Sequence, residues 1–147
     1  MKQEHKELLL KDLCGRLSHG VKCKILEINE VQILGSIQYD GENTLFDFWE
    51  DDQKIQFGYQ FYLSEFKPYL FPLSSMTEEQ RRYINDRWGV NEKFDFEIDP
   101  DWGKYFVELG DVLGFINWCY ENHLDINGLT PKDLAIDATG LNIYKEE

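Results

Sequence analysis

The sequence predicts an α+β fold, with a mainly antiparallel sheet of four to five strands packed against three to four helices. Two observations predict this class. Apolar residues recur at helical spacing near residue 10, alternate with polar residues between about residues 21 and 63, and return to helical spacing after residue 77. The links between alternating segments are short, and short links join antiparallel strands. A chain of 147 residues has the usual length of one domain, so we expect a single domain over residues 1–147.

An amphipathic helix opens the chain. Its apolar stripe is formed by Leu9, Leu10, Leu13, Cys14 and Leu17. This is the spacing of one helix face, with charged residues around it. Glycine adopts the left-handed conformation with which many helices end, so we expect the helix to end at Gly20, with Gly15 as an earlier alternative.

A first hairpin follows, in which the period of the apolar residues becomes two. The predicted inward residues of its two strands are Val21, Cys23, Ile25, Val31, Ile33, Ile37 and Tyr39. Lys22 and Lys24 fall on the opposite face. Asn29 and Glu30 form the predicted two-residue turn, and the sequence DGEN at residues 40–43 predicts the turn after the second strand.

Two more strands complete the predicted meander. The third covers residues 45–49, and a turn at residues 51–53 leads to the fourth. The fourth strand has the clearest alternation, and its predicted inward residues are Ile55, Phe57, Tyr59, Phe61 and Leu63. Proline has no backbone N–H to donate, so Pro68 and Pro72 are predicted to end the ladder.

A second helix and a further strand are predicted in the middle of the chain. Thr77 and Gln80 have the spacing of a capping box, which predicts a helix over Glu78–Trp88 that stops at Gly89. Apolar residues then alternate with acidic ones at residues 94–98, which predicts another strand. The apolar residues of that segment are Phe94, Phe96 and Ile98.

A third helix and a short fourth one are predicted in the last part of the chain. The apolar stripe of the third helix is formed by Tyr105, Leu109, Val112, Leu113, Ile116, Cys119 and Tyr120. Phe115 lies on the opposite side of this helix, which we expect to run to about His123. Thr130 has the position of an N-cap and Pro131 that of a first helical residue, which predicts a last short helix at residues 133–138.

The chain is strongly acidic, with 28 Asp and Glu residues against 15 Lys and Arg residues and a net charge of −13. Phosphate groups are bound through Lys and Arg, so this balance argues against direct binding to nucleic acid and to anionic membranes. It favours a cationic protein partner, or no partner. The acidity is uneven, since residues 1–91 carry a net charge of −4 and residues 92–147 carry −9.

The sharpest charge pattern is a row of carboxylates near residue 100, formed by Asp95, Glu97, Asp99 and Asp101. Alternate residues of a strand share one face at a spacing of about 6.6 Å, so these four side chains are the candidate partner-binding residues. A solvated strand face is the favoured interpretation of this row, because most runs of charged residues are of that kind. A third interpretation is imitation of a phosphate backbone towards a DNA-binding protein. The spaced Gly and distal Glu of an EF-hand are missing, which argues against calcium.

Zinc is considered because four metal-capable residues lie close together near the start of the chain, namely His5, Cys14, His19 and Cys23. At about 100° per residue, His5 and Cys14 fall on opposite sides of one helix. Cys14 and Cys23 both fall on predicted apolar faces, so core cysteines are the favoured interpretation. We therefore expect no metal and no cofactor. Three cysteines do not make a disulfide framework, which favours a reducing cytoplasm.

His123 and Asp125 form a candidate acid–base pair near the end of the predicted third helix. No Ser or Cys in a recognisable nucleophile motif accompanies them. A His in the last turn of a helix is favoured by the helix dipole, and residues 125–128 have the composition of a turn. The structural interpretation is therefore favoured over the catalytic one.

Three further segments of the chain are LLLKDLCGRL, KPYLFPLSSMTEEQ and NWCYENHLDINGL. They resemble segments of a family of uncharacterised small acidic proteins of gut Bacteroidales and of their phages and mobile elements. The best-matching residues are Lys67, Pro68, Tyr69, Leu70, Pro72, Ser74, Ser75, Met76 and Thr77, together with Trp118, His123, Asp125, Gly128 and Leu129. Residues 31–62 are the least similar. Asn122 stands where the family usually has a second His before His123, which argues further against a catalytic or metal-binding pair. The family has no known activity, so the resemblance implies a setting and no functional residues.

The leading functional hypothesis is a non-enzymatic interaction protein, of phage or mobile-element type, whose acidic C-terminal part contacts a cationic protein partner. DNA mimicry is the sharper form of this hypothesis. One alternative is a small hydrolase or metal-dependent enzyme centred on His123 and Asp125. Another is a structural or oligomerisation protein, which the surplus of aromatic residues favours. The sequence leaves the oligomeric state open.

Overall fold

The computed structural model describes residues 1–49, 56–90 and 109–144, and it confirms the α+β class. Within these ranges there are three α-helices and six strands. The helices are α1 (Gln3–Arg16), α2 (Glu78–Trp88) and α3 (Leu109–Glu121). The strands are β1 (Lys22–Ile25), β2 (Glu30–Tyr39), β3 (Thr44–Trp49), β4 (Gln56–Phe61), β5 (Phe66–Leu70) and β6 (Ile136–Asp137). The strand predicted at residues 94–98 lies outside the described residues.

The six described strands form one sheet in the order β4-β3-β2-β1-β5-β6. Every neighbouring pair is antiparallel except β5 and β6, which run parallel. The antiparallel part follows the predicted meander from β1 to β4, because each connection between those strands is short. The parallel pair is reached only after α3, since parallel neighbours need a long crossover. The sheet therefore has one strand more than the predicted maximum.

The end of the first helix is confirmed. After α1 the chain makes a 3₁₀ turn over Leu17–His19 and stops at Gly20, whose φ is 67°. Only glycine adopts this left-handed conformation without strain. Leu9 and Leu13 are buried against the sheet, as predicted.

The prediction that Cys14 is a core cysteine is wrong, because Cys14 is exposed. The buried stripe of α1 consists of Leu9, Asp12, Leu13 and Arg16. Cys14 is one residue beyond Leu13 and lies about 100° further round the helix, outside this stripe. Cys23 is fully buried in β1, as predicted.

The inward face of β2 was predicted wrongly at its start. Residues directly opposite in an antiparallel pair share a face, and Cys23 lies opposite Gln32. Gln32 is therefore buried, whereas Val31 is 39 % exposed. A bulge between Leu34 and Ser36 then inserts one residue, which returns Ile37 to the core side.

The prediction that Pro68 ends the ladder is wrong, since Pro68 is a buried residue of β5 opposite Cys23. The Leu70 carbonyl accepts a hydrogen bond from Ala138 on the β6 side. Backbone groups alternate along a strand, so those of Pro68 point to the same side. β6 pairs with β5 only from Tyr69 onward, and the missing N–H of Pro68 therefore interrupts no hydrogen bond.

The second helix is confirmed with its caps. The Gln80 N–H donates to Thr77 Oγ1 at 3.1 Å, and the Thr77 N–H donates to Gln80 Oε1 at 3.0 Å. α2 stops at Gly89, whose φ is 65°. These determinants are local, which explains why the sequence predicts this helix residue by residue.

Two predictions for the last part of the chain are wrong. In α3, Phe115 is buried and Leu113 is 56 % exposed, because Phe115 packs on Trp88 at a ring distance of 5.8 Å. The predicted last helix at residues 133–138 is replaced by a 3₁₀ turn over Thr130–Lys132 followed by β6. Asp133 ends that turn with a φ of 59°, and the chain then pairs with β5.

Among the described residues, two buried clusters form the core. The larger lies between α1 and one face of the sheet and consists of Leu9, Leu13, Val21, Cys23, Ile25, Leu34, Phe46, Phe48, Phe61, Phe66, Leu70, Leu129, Leu134 and Ala135. The smaller joins α2 to α3 and consists of Met76, Ile84, Val90, Phe115, Cys119 and Leu124. In the part of the chain that is described, no helix is long and apolar enough to cross a bilayer.

Replacing Gly15 by alanine is expected to destabilise the fold. A Cβ atom at Gly15 would lie 2.5 Å from Cε2 of Tyr120, so the ring or the helix must move. Overpacking of this kind costs about 1–3 kcal/mol. Thermal or denaturant unfolding of Gly15→Ala measures the loss.

Gly114→Ala is the matched control, since Gly114 also lies inside a helix. Its Cβ atom would lie 3.4 Å from the Trp88 Nε1 atom, which is ordinary contact. Alanine is favoured over glycine in a helix by up to about 1 kcal/mol, so Gly114→Ala is expected to be neutral or stabilising. Equal stability of the two variants would show that Tyr120 does not constrain Gly15.

Candidate functional site

The four carboxylates of the predicted partner site lie outside the described residues. These are Asp95, Glu97, Asp99 and Asp101. Their contribution to binding stays a prediction from the sequence. The residues of the two other candidate sites, for zinc and for acid–base chemistry, are described.

The zinc quartet is not brought together. Cys14 is exposed on α1 while Cys23 is buried beneath it, and the His19 Nε2 atom lies 3.1 Å from Asn117 Oδ1. Over residues 1–49, 56–90 and 109–144, no three His, Cys, Asp or Glu side chains are arranged to hold a metal ion. Burial raises the pKa of the Cys119 thiol to about 12 and moves that of Cys23 in the same direction. Both thiols are therefore protonated at neutral pH.

His123 lies in the turn directly after α3, and Asp125 lies in the short segment that follows this turn. α3 ends at Glu121, and His123 adopts a left-handed conformation with a φ of 58°. The segment pairs with the residue that follows β5. The Phe71 N–H donates to the His123 carbonyl, and the Asp125 N–H donates to the Phe71 carbonyl, both at 2.8 Å.

Asp125 closes the turn that follows this segment. Its Oδ1 atom accepts the Leu129 N–H and its Oδ2 atom accepts the Thr130 N–H, each at 2.8 Å. The side chain is buried. Both carboxylate oxygens are used by backbone amides, so this group orients a turn and not the imidazole of His123.

The imidazole of His123 stacks face to face on the ring of Tyr144. The ring centroids are 3.6 Å apart and the planes are inclined by 11°. Burial, together with smaller electrostatic contributions from Arg16, His19 and Lys22, lowers the pKa of His123 to about 4. The Nδ1 atom is buried without a hydrogen-bond partner among the described residues. The ring is therefore a neutral packing surface at physiological pH.

The Tyr144 hydroxyl continues the ladder between β1 and β5. The last backbone pair of that ladder is Cys23 with Pro68, and the next would be Lys22 with Tyr69. At this point the Lys22 N–H donates to the Tyr144 oxygen at 2.9 Å, and the Tyr144 hydroxyl donates to the Tyr69 carbonyl at 2.7 Å. Burial raises the pKa of Tyr144 well above its ordinary value. The hydroxyl thus remains a donor.

The Lys22 side chain fixes the residue before this tyrosine. Its Nζ atom donates to the Ile143 carbonyl at 2.9 Å. Together with the stack on His123, this contact holds residues 143 and 144 across the splayed end of β1 and β5. Lys22 is therefore anchored within the fold at both its backbone and its side chain.

A buried ion pair lies beside this segment, between Asp12 and Arg16 of α1. The Arg16 Nε and Nη2 atoms donate to the two Asp12 oxygens at 2.6 and 2.9 Å, and both residues are fully buried. Arg16 Nη2 also donates to the Leu124 carbonyl at 2.6 Å, and Asn127 Nδ2 donates to Asp12 Oδ1 at 2.8 Å. The Arg16 guanidinium lies 4.8 Å from the ring centroid of Tyr120. One ion pair thus joins α1 to α3 and to the turn that follows it.

Sequence reasoning missed Asp12, Arg16 and Tyr144. Asp12 and Arg16 are four residues apart, the spacing of an ordinary surface pair on a helix. Their positions within the apolar stripe of α1 are the one signal that could have indicated burial. No local pattern marks Tyr144, because its hydrogen-bond partners lie more than seventy residues away in the sequence.

A cleft of about 480 Å³ lies at the start of α1, against the turn between β2 and β3. Its charged residues are Lys6, Glu7 and Glu42. Glu7 accepts a hydrogen bond from Gln3 within the same helix. The opposite charges do not single out one class of ligand, so the cleft does not define a function.

Comparisons with protein-family models, with curated proteins and with solved structures give no match.

Neutralising Asp12 is expected to destabilise the protein strongly. Asp12→Asn leaves Arg16 charged and buried without its counter-ion, and breaking such a pair costs about 3–5 kcal/mol. Urea unfolding measures the loss. Asp133→Asn is the control, because Asp133 pairs with Lys67 at 2.8 Å but has a side chain that is 91 % exposed. Exposed pairs contribute less than about 1 kcal/mol. Similar losses in both variants would contradict the structural importance of the buried pair.

His123 is expected to make stability depend on pH between about 6.5 and about 4. In this window the unfolded chain binds a proton that the folded chain does not, so stability is full above 6.5 and is lost as the pH falls. The loss from one such group is up to about 1.4 kcal/mol per pH unit. His123→Phe keeps an aromatic ring against Tyr144 and removes the titration. The free energy of unfolding, measured at several pH values, should fall more steeply with decreasing pH in the wild type than in the variant. Equal pH dependence in the two proteins would refute the lowered pKa of His123.

Proposed function

We propose that this protein is a non-enzymatic interaction protein whose acidic C-terminal part contacts a cationic protein partner. The observation that carries the proposal is the uneven charge, with −9 over residues 92–147 against −4 over residues 1–91. The setting that fits the family resemblance is an accessory protein of a phage or mobile element in the cytoplasm. The three free cysteines support a reducing compartment.

The described polar groups support binding over catalysis. Asp125 holds two backbone amides, Asp12 is paired with Arg16, and His123 is stacked on Tyr144. Each of these groups is engaged in maintaining the fold. A hydrolase centred on His123 and Asp125 would need the carboxylate to face the imidazole, which this geometry does not favour.

A cluster of negative charges contributes to protein–protein binding mainly by raising the association rate and the specificity for the partner. Complementary charges steer two proteins together and discourage wrong partners, and their effect weakens with salt. In the sharper form of the proposal, the row formed by Asp95, Glu97, Asp99 and Asp101 imitates the phosphates of DNA. The partner would then be a DNA-binding protein.

Affinity purification from a gut Bacteroidales host tests the proposal. We expect a cationic protein to be retained at about 0.1 M salt and released at about 1 M, where the Debye length falls from about 10 to about 3 Å. Quantitative mass spectrometry of the two eluates measures the change. Partners that are unchanged between the two salt concentrations would refute the acidic-contact proposal.

A variant pair locates the contact. The test variant has amides in place of the four acidic side chains Asp95, Glu97, Asp99 and Asp101. Partner recovery is expected to fall about tenfold, which corresponds to a loss of about 1.4 kcal/mol of binding free energy. The matched control replaces four exposed acids from the first part of the chain, Glu4, Glu7, Glu79 and Asp86, by their amides. Both variants have the same net charge. Equal losses would mean that net charge, and not the C-terminal row, attracts the partner.

A further inference from the structure

The tip of the hairpin between β1 and β2 is unusually apolar for an exposed turn. Six consecutive residues, 26–31, are exposed. Three of them are aliphatic, since Leu26 and Ile28 are each 41 % exposed and Val31 is 39 % exposed. A single exposed aliphatic residue is ordinary, but several on one protruding element are typical of a contact surface.

These aliphatic residues do not support the core. Leu26, Ile28 and Val31 belong to neither of the two described clusters, whereas the neighbouring Ile25 is fully buried in the larger one. Their apolar surface is therefore exposed to water, and in the described contacts it does not stabilise the core. Burial in a partner would recover about 25 cal/mol for each Å² removed from water.

The tip is held in one conformation. Ile25 pairs with Glu30 at the end of the ladder, and the Leu26 N–H donates to the Glu65 carbonyl at 3.0 Å, which ties the turn to the start of β5. Asn29 adopts the left-handed conformation, with a φ of 54°, that Asn accepts better than most residues. A preorganised element loses little conformational entropy when it binds.

Carboxylates alternate with the aliphatic residues. Glu27 lies between Leu26 and Ile28, and Glu30 precedes Val31. Glu27 and Glu30 are both exposed, and Glu30 Oε2 accepts a hydrogen bond from Gln32 at 3.1 Å. Val31 lies directly opposite Lys24 in the ladder, so the apolar surface bordered by a carboxylate is that of Leu26 and Ile28, which flank Glu27. These two side chains fit an apolar depression that has Lys or Arg at its rim. They do not fit an anionic membrane, which repels the same carboxylates.

We propose that the hairpin tip, residues 26–31, is a docking element that inserts Leu26 and Ile28 into an apolar pocket with a basic rim on a protein partner. The proposal rests on the proposed function, because the rim belongs to the same cationic partner. It adds a second contact, on the opposite part of the sequence from the acidic row. The acidic row attracts the partner and the tip supplies the buried apolar anchor.

The hairpin between β2 and β3 provides an internal comparison. Its turn has no aliphatic residue, and Asp40 Oδ1 accepts the N–H groups of Glu42 and Asn43 at 2.9 and 2.7 Å. It is also acidic and exposed. The two hairpins therefore differ in their apolar content and share their negative charge.

Photo-crosslinking of the full chain tests the docking element. The probe is the protein with Ile28→p-benzoyl-phenylalanine, irradiated in a lysate of a gut Bacteroidales host and compared with the same replacement at Glu42. We expect a covalent product with a protein from position 28, with the crosslink mapped by mass spectrometry to a surface that bears Lys or Arg, and at least tenfold less product from position 42.

Added substitutions separate the apolar contact from the charged one. Leu26→Ser is expected to reduce the product at least tenfold, and Glu27→Lys with Glu30→Lys is expected to reduce it similarly and to remove its dependence on salt. Leu141→Ser and Glu42→Lys are the controls, since Leu141 is 50 % exposed elsewhere. Both controls should stay within twofold of the unmodified probe.

Three results overturn the docking element: equal products from positions 28 and 42, no product from position 28, or a product with the mass of a lipid. If the salt-released partner still depends on the acidic row in that case, the proposed function stands and the tip inference alone fails. A different outcome is a product from position 28 that requires Leu26 but whose yield does not change with salt or with the Glu27 and Glu30 substitutions. It keeps the docking element and overturns the cationic partner.

Discussion

The buried pair of Asp12 and Arg16 is the interaction on which the rest of this structure depends. Two fully buried charges would destabilise a protein if they had only each other, because their removal from water costs more than their attraction returns. Here the Leu124 carbonyl, the Asn127 amide and the ring of Tyr120 supply further contacts, and the Arg16 Nη1 atom alone is buried without a hydrogen-bond partner among the described atoms of the pair. These groups come from α3 and from the turn that follows it. The pair therefore fixes α1 against the last part of the chain.

The same charge sets the chemistry of the neighbouring segment. Arg16 binds the Leu124 carbonyl, and Leu124 forms a parallel bridge with Phe71, the residue after β5. Arg16 is therefore connected to the end of β5 through Leu124. His123 precedes Leu124, and the positive charge of Arg16 contributes to lowering the pKa of His123, after the larger effect of burial. Both effects favour the neutral imidazole. A neutral ring can pack face to face on Tyr144, whose hydroxyl then completes the β1–β5 ladder. A pair that is local in sequence thus organises contacts that are distant in sequence.

This division between local and distant contacts explains how far the sequence predicts the fold. The capping box of α2 and the stop at Gly20 are predicted because their determinants lie within a few residues. Pro68 and β6 are missed, because pairing with a strand from another part of the chain overrides the local signals. At the site, the sequence singles out His123 but misses Tyr144, since stacking and burial depend on tertiary packing. The acidic row at residues 95–101 stays a prediction.

The proposed contact at the hairpin tip follows the opposite logic, because its aliphatic residues are exposed and not buried in the core. Charge acts over about a Debye length and chiefly raises the rate of encounter, whereas buried apolar side chains chiefly lengthen the life of a complex. In the proposed complex, the acidic C-terminal part would supply the first effect and the hairpin tip the second. Since Leu26 and Ile28 lie outside both core clusters, substitutions there can alter the partner without the loss of stability that core substitutions cause. A tip of this kind allows the choice of partner to change while the ion pair and the sheet remain as they are.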